Sequence, residues 1–347
     1  IDFSSNDYLG LRHNKAISEA GYQATLKYGN GAGGSRFVTG NDIFFMQIEE
    51  KLAHFKKRHA AFVGVSGYQI NMSVIPALLN QEIFDKPPLV LFDKYNHASM
   101  YQAVRLAQAE MIRFRHNDFN HLEDLLKKYQ ACGRPLFMMT ESVFSMDGDV
   151  CDIVQFIKLA QHYNAFTIID DAHSTGIMGA CGAGLASQYP EIDIIIGTLS
   201  KALGLQGGYC VCSQDMMAYL HNSASGFIYS TAMSPFIWGA LNKTLDLLPE
   251  MDQQRQEISD KAQYLRQKIK DIGLSTLSST THIVPAILPD ITTAIRLEKI
   301  LLQNGFVTKA IRSPTVPFNL PRLRLTVNPS INYEVIDHFI TIMKENL

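Results

Sequence analysis

Lys201 stands in "TLSKALG" (198–204), directly after the apolar run "DIIIG" (193–197) and among small and hydroxylated residues. A surface lysine ordinarily sits among other charges on a solvated helix face, yet the nearest charges along the chain are Asp193 and Asp215. An amine so placed is a candidate nucleophile toward a carbonyl. Asp170 and His173 lie in "IIDDAHSTG", also at the end of an apolar run. A carboxylate in a largely buried place keeps its charge only beside a cation, and a protonated pyridine nitrogen would be one. His97, in "KYNHAS", offers a stacking ring or a general acid. Ser66, Gly67 and Tyr68 open "SGYQIN" between a strand and a helix, where free N–H groups can hold an anion such as phosphate. Thr198 and Ser200 add hydroxyls beside the lysine. Each residue has a plainer reading by itself: a loop lysine, Asp170 capping the next helix, Ser66 as an N-cap, a satisfied loop histidine. Together they are the parts a pyridoxal-phosphate enzyme needs: a lysine for the Schiff base, an aspartate to protonate the ring nitrogen, a stacking histidine and a phosphate cradle.

The elements that must position these groups follow from pattern. A helix over "NDIFFMQIEEKLAHFKKR" opens on Asn41 or Asp42 and puts Ile48, Leu52 and Phe55 on one face; "SGYQINMSVIPALL" is a second helix with Ser66 as its cap. Strands are expected at 60–64, 89–93, 135–140, 166–170, 193–197 and 208–212, with helix-like segments between most of them. Short strands with few charges, alternating with helices, indicate an α/β protein with a mostly parallel sheet buried on both faces. Ligands of such sheets bind at the strands' carboxyl ends, which here carry 93–97, Glu141-Ser142, 170–173 and 198–201. After about residue 250 a polar helix ends at Gly273 and strand–helix alternation resumes, with "RLRLTVN" as a clear strand. The expected division is an N-terminal segment 1–12, a large domain 13–250 and a smaller C-terminal α/β domain 251–347. The chain opens on Ile1 rather than Met, so residues 1–12 are expected to be a truncated segment.

The composition bounds the function. A net charge of -2, with 18% charged and 46% hydrophobic residues, shows no basic surplus for nucleic acid. The one dense basic cluster, "KKRH" (56–59), reads as a solvated helix end. Five scattered cysteines without a CxxC pair indicate neither a disulfide framework nor a metal site, and a reducing cytoplasm is expected. No apolar run reaches the roughly 18–20 residues that span a bilayer, and "IDFSSNDYLGLRHN" has no signal-peptide character. "GNGAGG" (29–34) satisfies G-x-G-x-x-G, but a dinucleotide site requires a preceding strand and the residues before it look helical. A turn near a ligand or interface is the better reading, and a nicotinamide oxidoreductase the weaker alternative.

Nine motifs in order, "SNDYLGL" (5–11), "GAGGSR" (31–36), "SGYQIN" (66–71), "NHAS" (96–99), "ESVFSMDGD" (141–149), "DDAHSTG" (170–176), "TLSKALG" (198–204), "YSTAMSP" (229–235) and "PTVP…RLRLT" (314–326), resemble the α-oxoamine synthases over essentially the whole chain. The resemblance implies a fold-type I pyridoxal-phosphate-dependent transferase with a seven-stranded type of sheet. It also implies Lys201 as the Schiff-base lysine, Asp170 on the pyridine nitrogen, His173 and Ser145 near the phenolic oxygen, and His97 stacked on the ring. Lys201, His97, Asp170 and His173 would carry the chemistry. Gly67, Tyr68, Thr198 and Ser200 would surround the phosphate, with Ser66 and Glu141 counted among the cofactor's neighbours. Ser230 and Thr231 would reach it from the other subunit of a homodimer. Arg324 would bind the amino acid's carboxylate, with Asn6 nearby. Alternation along "RLRLT" cannot choose between Arg322 and Arg324, and the family match selects Arg324. "DDAH" with "TG", "AIRSPTVP" and "RLRLT" look most like the member that joins L-alanine to a pimeloyl thioester, delivered on CoA or an acyl carrier protein, in biotin biosynthesis. Sister activities with other amino acids or acyl chains are the alternative, and a non-catalytic subunit is disfavoured by Lys201, Asp170 and His97 occurring together. "SKAL" departs from the glycines common after the lysine, which bears on the pocket floor.

Overall fold

Short apolar runs set the strands of the larger of two units. In this computed structural model, which describes residues 1–347, that unit comprises residues 12–142 and 151–250. Its strands are β1 (Ala60–Gly64), β2 (Leu89–Asp93), β3 (Glu110–Phe114), β4 (Leu136–Glu141), β5 (Phe166–Asp170), β6 (Ile194–Thr198) and β7 (Gly208–Cys212). They form one seven-stranded sheet in the order β1-β7-β6-β5-β4-β2-β3. Strands β6, β5, β4, β2 and β3 run parallel, and β7 is antiparallel to both its neighbours. Every residue of β2, β4, β6 and β7 is buried, as a sheet covered on both faces requires. Each isoleucine of 194–196 is fully buried, which stabilises the fold by roughly 1.5–3 kcal/mol per side chain.

The helices of this unit are α1 (Lys15–Tyr28), α2 (Ile43–Phe55), α3 (Gly67–Leu78), α4 (Ala98–Leu106), α5 (Phe119–Gln130), α6 (Ile153–His162), α7 (Gln214–Ser223), α8 (Ser225–Ile228) and α9 (Pro235–Leu247). Asp42 caps α2 by accepting the Phe44 N–H at 2.8 Å, and Ser66 caps α3 by accepting the Gln69 N–H at 3.0 Å. The helix α1 precedes "GNGAGG", so that motif follows no strand. Its last glycine is tied to "YSTAMSP" instead, the Ala232 N–H donating to the Gly34 carbonyl at 3.0 Å.

Two features of this unit differ from expectation. The edge strand β3, "EMIRF", buries only Phe114 and lacks the apolar signature of its neighbours. The basic cluster after α2 is not a solvated end: Lys56 is completely buried and its Nζ pairs with Asp171 Oδ2 at 2.7 Å. Arg58 in the same cluster donates to the Tyr189 carbonyl at 2.6 Å.

The second unit comprises residues 1–11, 143–150 and 251–347. It holds α10 (Asp252–Asp271), β8 (Ile283–Ile287), α11 (Ile291–Gln303), β9 (Ala310–Ile311), β10 (Arg322–Thr326) and α12 (Tyr333–Glu345), with an antiparallel sheet in the order β8-β10-β9. It draws on three stretches of chain rather than on 251–347 alone. Phe3 explains the first: it is fully buried, stacks on Phe339 at 4.3 Å and meets Phe306 edge-on. Gly148 explains the second, its carbonyl accepting the Thr280 N–H at 3.1 Å. No helix in the chain is long and apolar enough to cross a membrane.

Candidate active site

The carboxyl ends of β1, β2, β4, β5 and β6 share one edge of the large sheet, because these strands run in one direction. At the end of β6, the half-buried Lys201 brings its Nζ to 2.7 Å from His173 Nε2. His173 is itself buried after β5. Asp170, the last residue of β5, is 7% exposed; its Oδ1 accepts the Ala172 N–H at 3.0 Å and its Oδ2 accepts from Asn71 Nδ2 at 3.1 Å. Asp170 therefore sits in the sheet edge as a hydrogen-bonded acceptor and does not cap a following α-helix. His97 caps α4, its Nδ1 accepting the Ser99 N–H at 3.2 Å. Burial chiefly holds its imidazole below the ordinary value, the charge of Lys201 adds to this and Asp170 opposes it. His97 is accordingly neutral at neutral pH.

Glu141 pairs with Asp170 in sheet register and is 2% exposed, with Oε1 meeting no hydrogen-bond partner. Burial, and next the neighbouring Asp170, push its carboxyl well above the usual range, which favours the protonated, uncharged form. Glu141→Gln keeps an uncharged group of the same size, and cofactor affinity measured by equilibrium titration is expected to stay within about 5-fold of wild type, the scale of one neutral hydrogen bond. A loss beyond roughly 50-fold would mean that a charged carboxylate is needed there.

The opposite side of this edge is built from close approaches. A Cβ on Gly208 would lie 2.4 Å from the Gly67 nitrogen, so only glycine lets β7 pass the start of α3. Ser66 takes the Gln69 N–H through its side chain and the Ile70 N–H through its carbonyl, leaving the Gly67 and Tyr68 N–H groups at the helix end. Ser200 Oγ lies 2.8 Å from Thr198 Oγ1. Thr198 Oγ1 donates to the Gly207 carbonyl at 2.9 Å, so its proton is already engaged and Ser200 is the hydroxyl more able to turn toward an anion. Ser230 is half-buried and Thr231 exposed on the segment that faces "GAGGSR". The residues fit pyridoxal phosphate: two helix-end amides and a hydroxyl for the phosphate, a buried aspartate for the ring nitrogen and a lysine amine for the aldehyde.

Ser145, Asn6 and Arg324 belong to the second unit. There Arg324 Nε donates to the Ser145 carbonyl and Nη2 to Tyr8 Oη at 3.2 Å, while Tyr8 Oη donates to Asn6 Oδ1 at 3.0 Å. The structure separates the two arginines that alternation could not. Arg322, 1% exposed, is neutralised by Asp147. Arg324, 7% exposed, pairs with no carboxylate, which leaves it the guanidinium able to take one. Asn71, Ser99 and Tyr8 went unrecognised as site residues, although all three lie inside the quoted motifs "SGYQIN", "NHAS" and "SNDYLGL".

The model of the aminotransferase class I and II family matches residues 1–342. An 8-amino-7-oxononanoate synthase from Gluconacetobacter diazotrophicus is 40% identical over 347 residues, covering 99% of this chain and 87% of the relative. Among solved structures, a serine palmitoyltransferase from S. paucimobilis with bound PLP-myriocin aldimine superposes with a TM-score of 0.93 at 25% identity, covering 100% of this chain and 87% of that one. An 8-amino-7-oxononanoate synthase from Francisella tularensis superposes with a TM-score of 0.85 at 25% identity, covering 99% and 97%.

Proposed function

This chain belongs to the aminotransferase class I and II family as a pyridoxal-phosphate-dependent acyl-transferring enzyme, and from that premise we propose that it condenses L-alanine with a pimeloyl thioester to give 8-amino-7-oxononanoate. The observation that carries the reading is the convergence of Lys201, His173, Asp170 and His97 at one sheet edge. The choice of substrates is supported by the relative at 40% identity over nearly the whole chain.

Pyridoxal phosphate, when bound, supplies an electron sink for a carbanion at the amino acid's Cα. Gly67 and Tyr68 N–H and the Ser200 hydroxyl hold its phosphate, with Ser66 shaping that helix end and Thr198 bracing Ser200. Asp170 holds a proton at the ring nitrogen, where its buried carboxylate finds the cation it needs. Lys201 Nζ takes the Cα proton of alanine, and His173, 2.7 Å away, orients that amine. His97 donates a proton to the thioester's carbonyl oxygen as the new C–C bond forms and the thiol leaves. Arg324 holds the alanine carboxylate, with Ser145 and Asn6 bracing it, until that group departs as CO2. In a homodimer, Ser230 and Thr231 reach the partner's phosphate. Exposed Tyr22, Leu26, Phe37, Val38, Ile43 and Met46 are apolar side chains that such an assembly would cover.

The purified enzyme with pyridoxal phosphate is expected to release CO2 and free thiol only when both L-alanine and a pimeloyl thioester are present. Glycine in place of alanine is expected to lower kcat/KM by about 10-fold or more, since one methyl in a fitted pocket is worth roughly 1–3 kcal/mol. A palmitoyl thioester, whose chain is far longer and lacks the terminal carboxyl of pimeloyl, is expected to lose at least as much, and serine is expected to be turned over less well than alanine. Preference for serine with a long acyl chain would move the reading to the activity for which the structural neighbour is named.

A further inference from the structure

A buried chain of polar side chains joins two of the site's residues through two that touch neither other catalytic groups nor solvent. Asn71, on α3 and 2% exposed, divides its amide hydrogens between Asp170 Oδ2 at 3.1 Å and Ser99 Oγ at 2.9 Å. Ser99 is fully buried, and its Oγ lies 2.7 Å from His97 Nδ1. Hydrogen counting constrains the direction of these bonds. Asn71 Nδ2 is a donor only, so Ser99 Oγ accepts from it. The opposite orientation of the amide would set its oxygen against the Asp170 carboxylate, two acceptors face to face. His97 Nδ1 accepts the Ser99 backbone N–H at 3.2 Å, which calls for a lone pair there, and in that tautomer the 2.7 Å contact is the Ser99 hydroxyl donating to the same nitrogen. A neutral imidazole has one N–H, which leaves the proton on Nε2.

The arrangement has a cost that argues for a purpose. With both hydrogens of Asn71 committed, its buried Oδ1 meets no hydrogen-bond partner, and an unsatisfied buried carbonyl is destabilising. We propose that Asn71 and Ser99 are positioning residues that fix His97 in its Nε2–H form while orienting the Asp170 carboxylate. In the reaction proposed above, on which this step rests, His97 donates to the thioester carbonyl, and the proton it gives is the one on Nε2. The charged groups around the imidazole are Asp170 at the end of β5 and Lys201 after β6. Glu141 on β4 accepts the His97 backbone N–H, and burial and Asp170 push its carboxyl toward the uncharged form. None of these groups selects between the ring nitrogens as the Ser99 hydroxyl does.

The test uses the full-length protein with 15N-labelled histidine, first stripped of pyridoxal phosphate and then reloaded. Long-range proton–nitrogen correlation spectra distinguish Nδ1 from Nε2, and His97→Gln identifies the His97 signals among the 11 histidines. Wild type is expected to show an unprotonated Nδ1 and a protonated Nε2. Ser99→Ala is expected to move the tautomer ratio roughly 2- to 10-fold toward Nδ1–H, the worth of one neutral hydrogen bond, and to let His97 take its second proton at a higher pH. Asn71→Leu, of the same size without the amide, is expected to shift it the same way. A wild-type His97 protonated on Nδ1 would overturn the proposal even if neither variant folds. So would variants that fold and leave the ratio unchanged. The expected tautomer, found in an enzyme that fails to condense alanine with pimeloyl thioester, would sink the functional reading and leave the positioning role standing.

Discussion

Lys201→Ala is expected to abolish condensation, lowering kcat by at least about 10³-fold while the protein stays folded. The factor follows from the role proposed for the side chain: positioned proton transfer alone is worth roughly 10²–10⁴-fold, and the same amine would be the attachment point for the cofactor's aldehyde. Stability should change little. Lys201 is half-buried after β6, and the neighbours that anchor this segment, Leu199, Ala202 and Leu203, keep their places in the core. The loop is further held by backbone bonds, Leu199 N–H to the Gly207 carbonyl and Leu205 N–H to the Leu199 carbonyl, both 2.9 Å. Thiol release in the steady state gives the rate, and thermal unfolding reports the fold. The variant should also bind pyridoxal phosphate without the absorbance of the lysine-linked form. Normal turnover in a folded Lys201→Ala protein would end the assignment of this lysine.

The parts of the site that were legible in the sequence are those that strand ends deliver directly. Lys201, Asp170 and His97 each follow an apolar run, and parallel strands bring such ends to one edge whatever the loops do. Asn71 was hidden because nothing in "SGYQIN" says that its amide meets a carboxylate 99 residues away. Which arginine of "RLRLT" is available was hidden for a related reason: it depends on Asp147, 175 residues from Arg322. The antiparallel direction of β7, to which the sequence reading assigned no direction of its own, follows from the length of one loop. Residues 199–207 contain no helix, and a parallel return needs a crossover of roughly a dozen residues or more. The edge strand β3 had no signal to give, since an edge half open to water tolerates Glu110 and Arg113 where a central strand would not.

Lys56 is the sharpest case of a residue whose environment contradicts its sequence surroundings, and its replacement should cost most of a marginal protein's stability. In "KKRH" it looks like a solvated helix end, yet it is 0% exposed. Its ammonium donates to Asp171 Oδ2 at 2.7 Å, to Thr175 Oγ1 at 2.9 Å and to the Ala183 carbonyl. Burial drives its pKa down and the Asp171 charge opposes that fall. Asp171 also accepts the Ser142 hydroxyl at 2.6 Å, and Thr175 Oγ1 lies 2.6 Å from Tyr209 Oη, so β4, β7 and the loop after β5 meet around this one cation. Lys56→Met removes the charge and leaves a buried carboxylate unpaired, for which the expected loss is about 3–5 kcal/mol in denaturant-induced unfolding. Asp171→Leu should lose a similar amount for the converse reason. The double variant, with no charge left to desolvate, should recover a large part of either loss, because apolar replacement of a whole buried pair is often nearly neutral. Because Asp171 directly follows Asp170 and precedes His173, the single variants should also weaken pyridoxal phosphate binding. Single variants within about 1 kcal/mol of wild type would show that water reaches the pair, and that the sequence's first impression of this lysine was right.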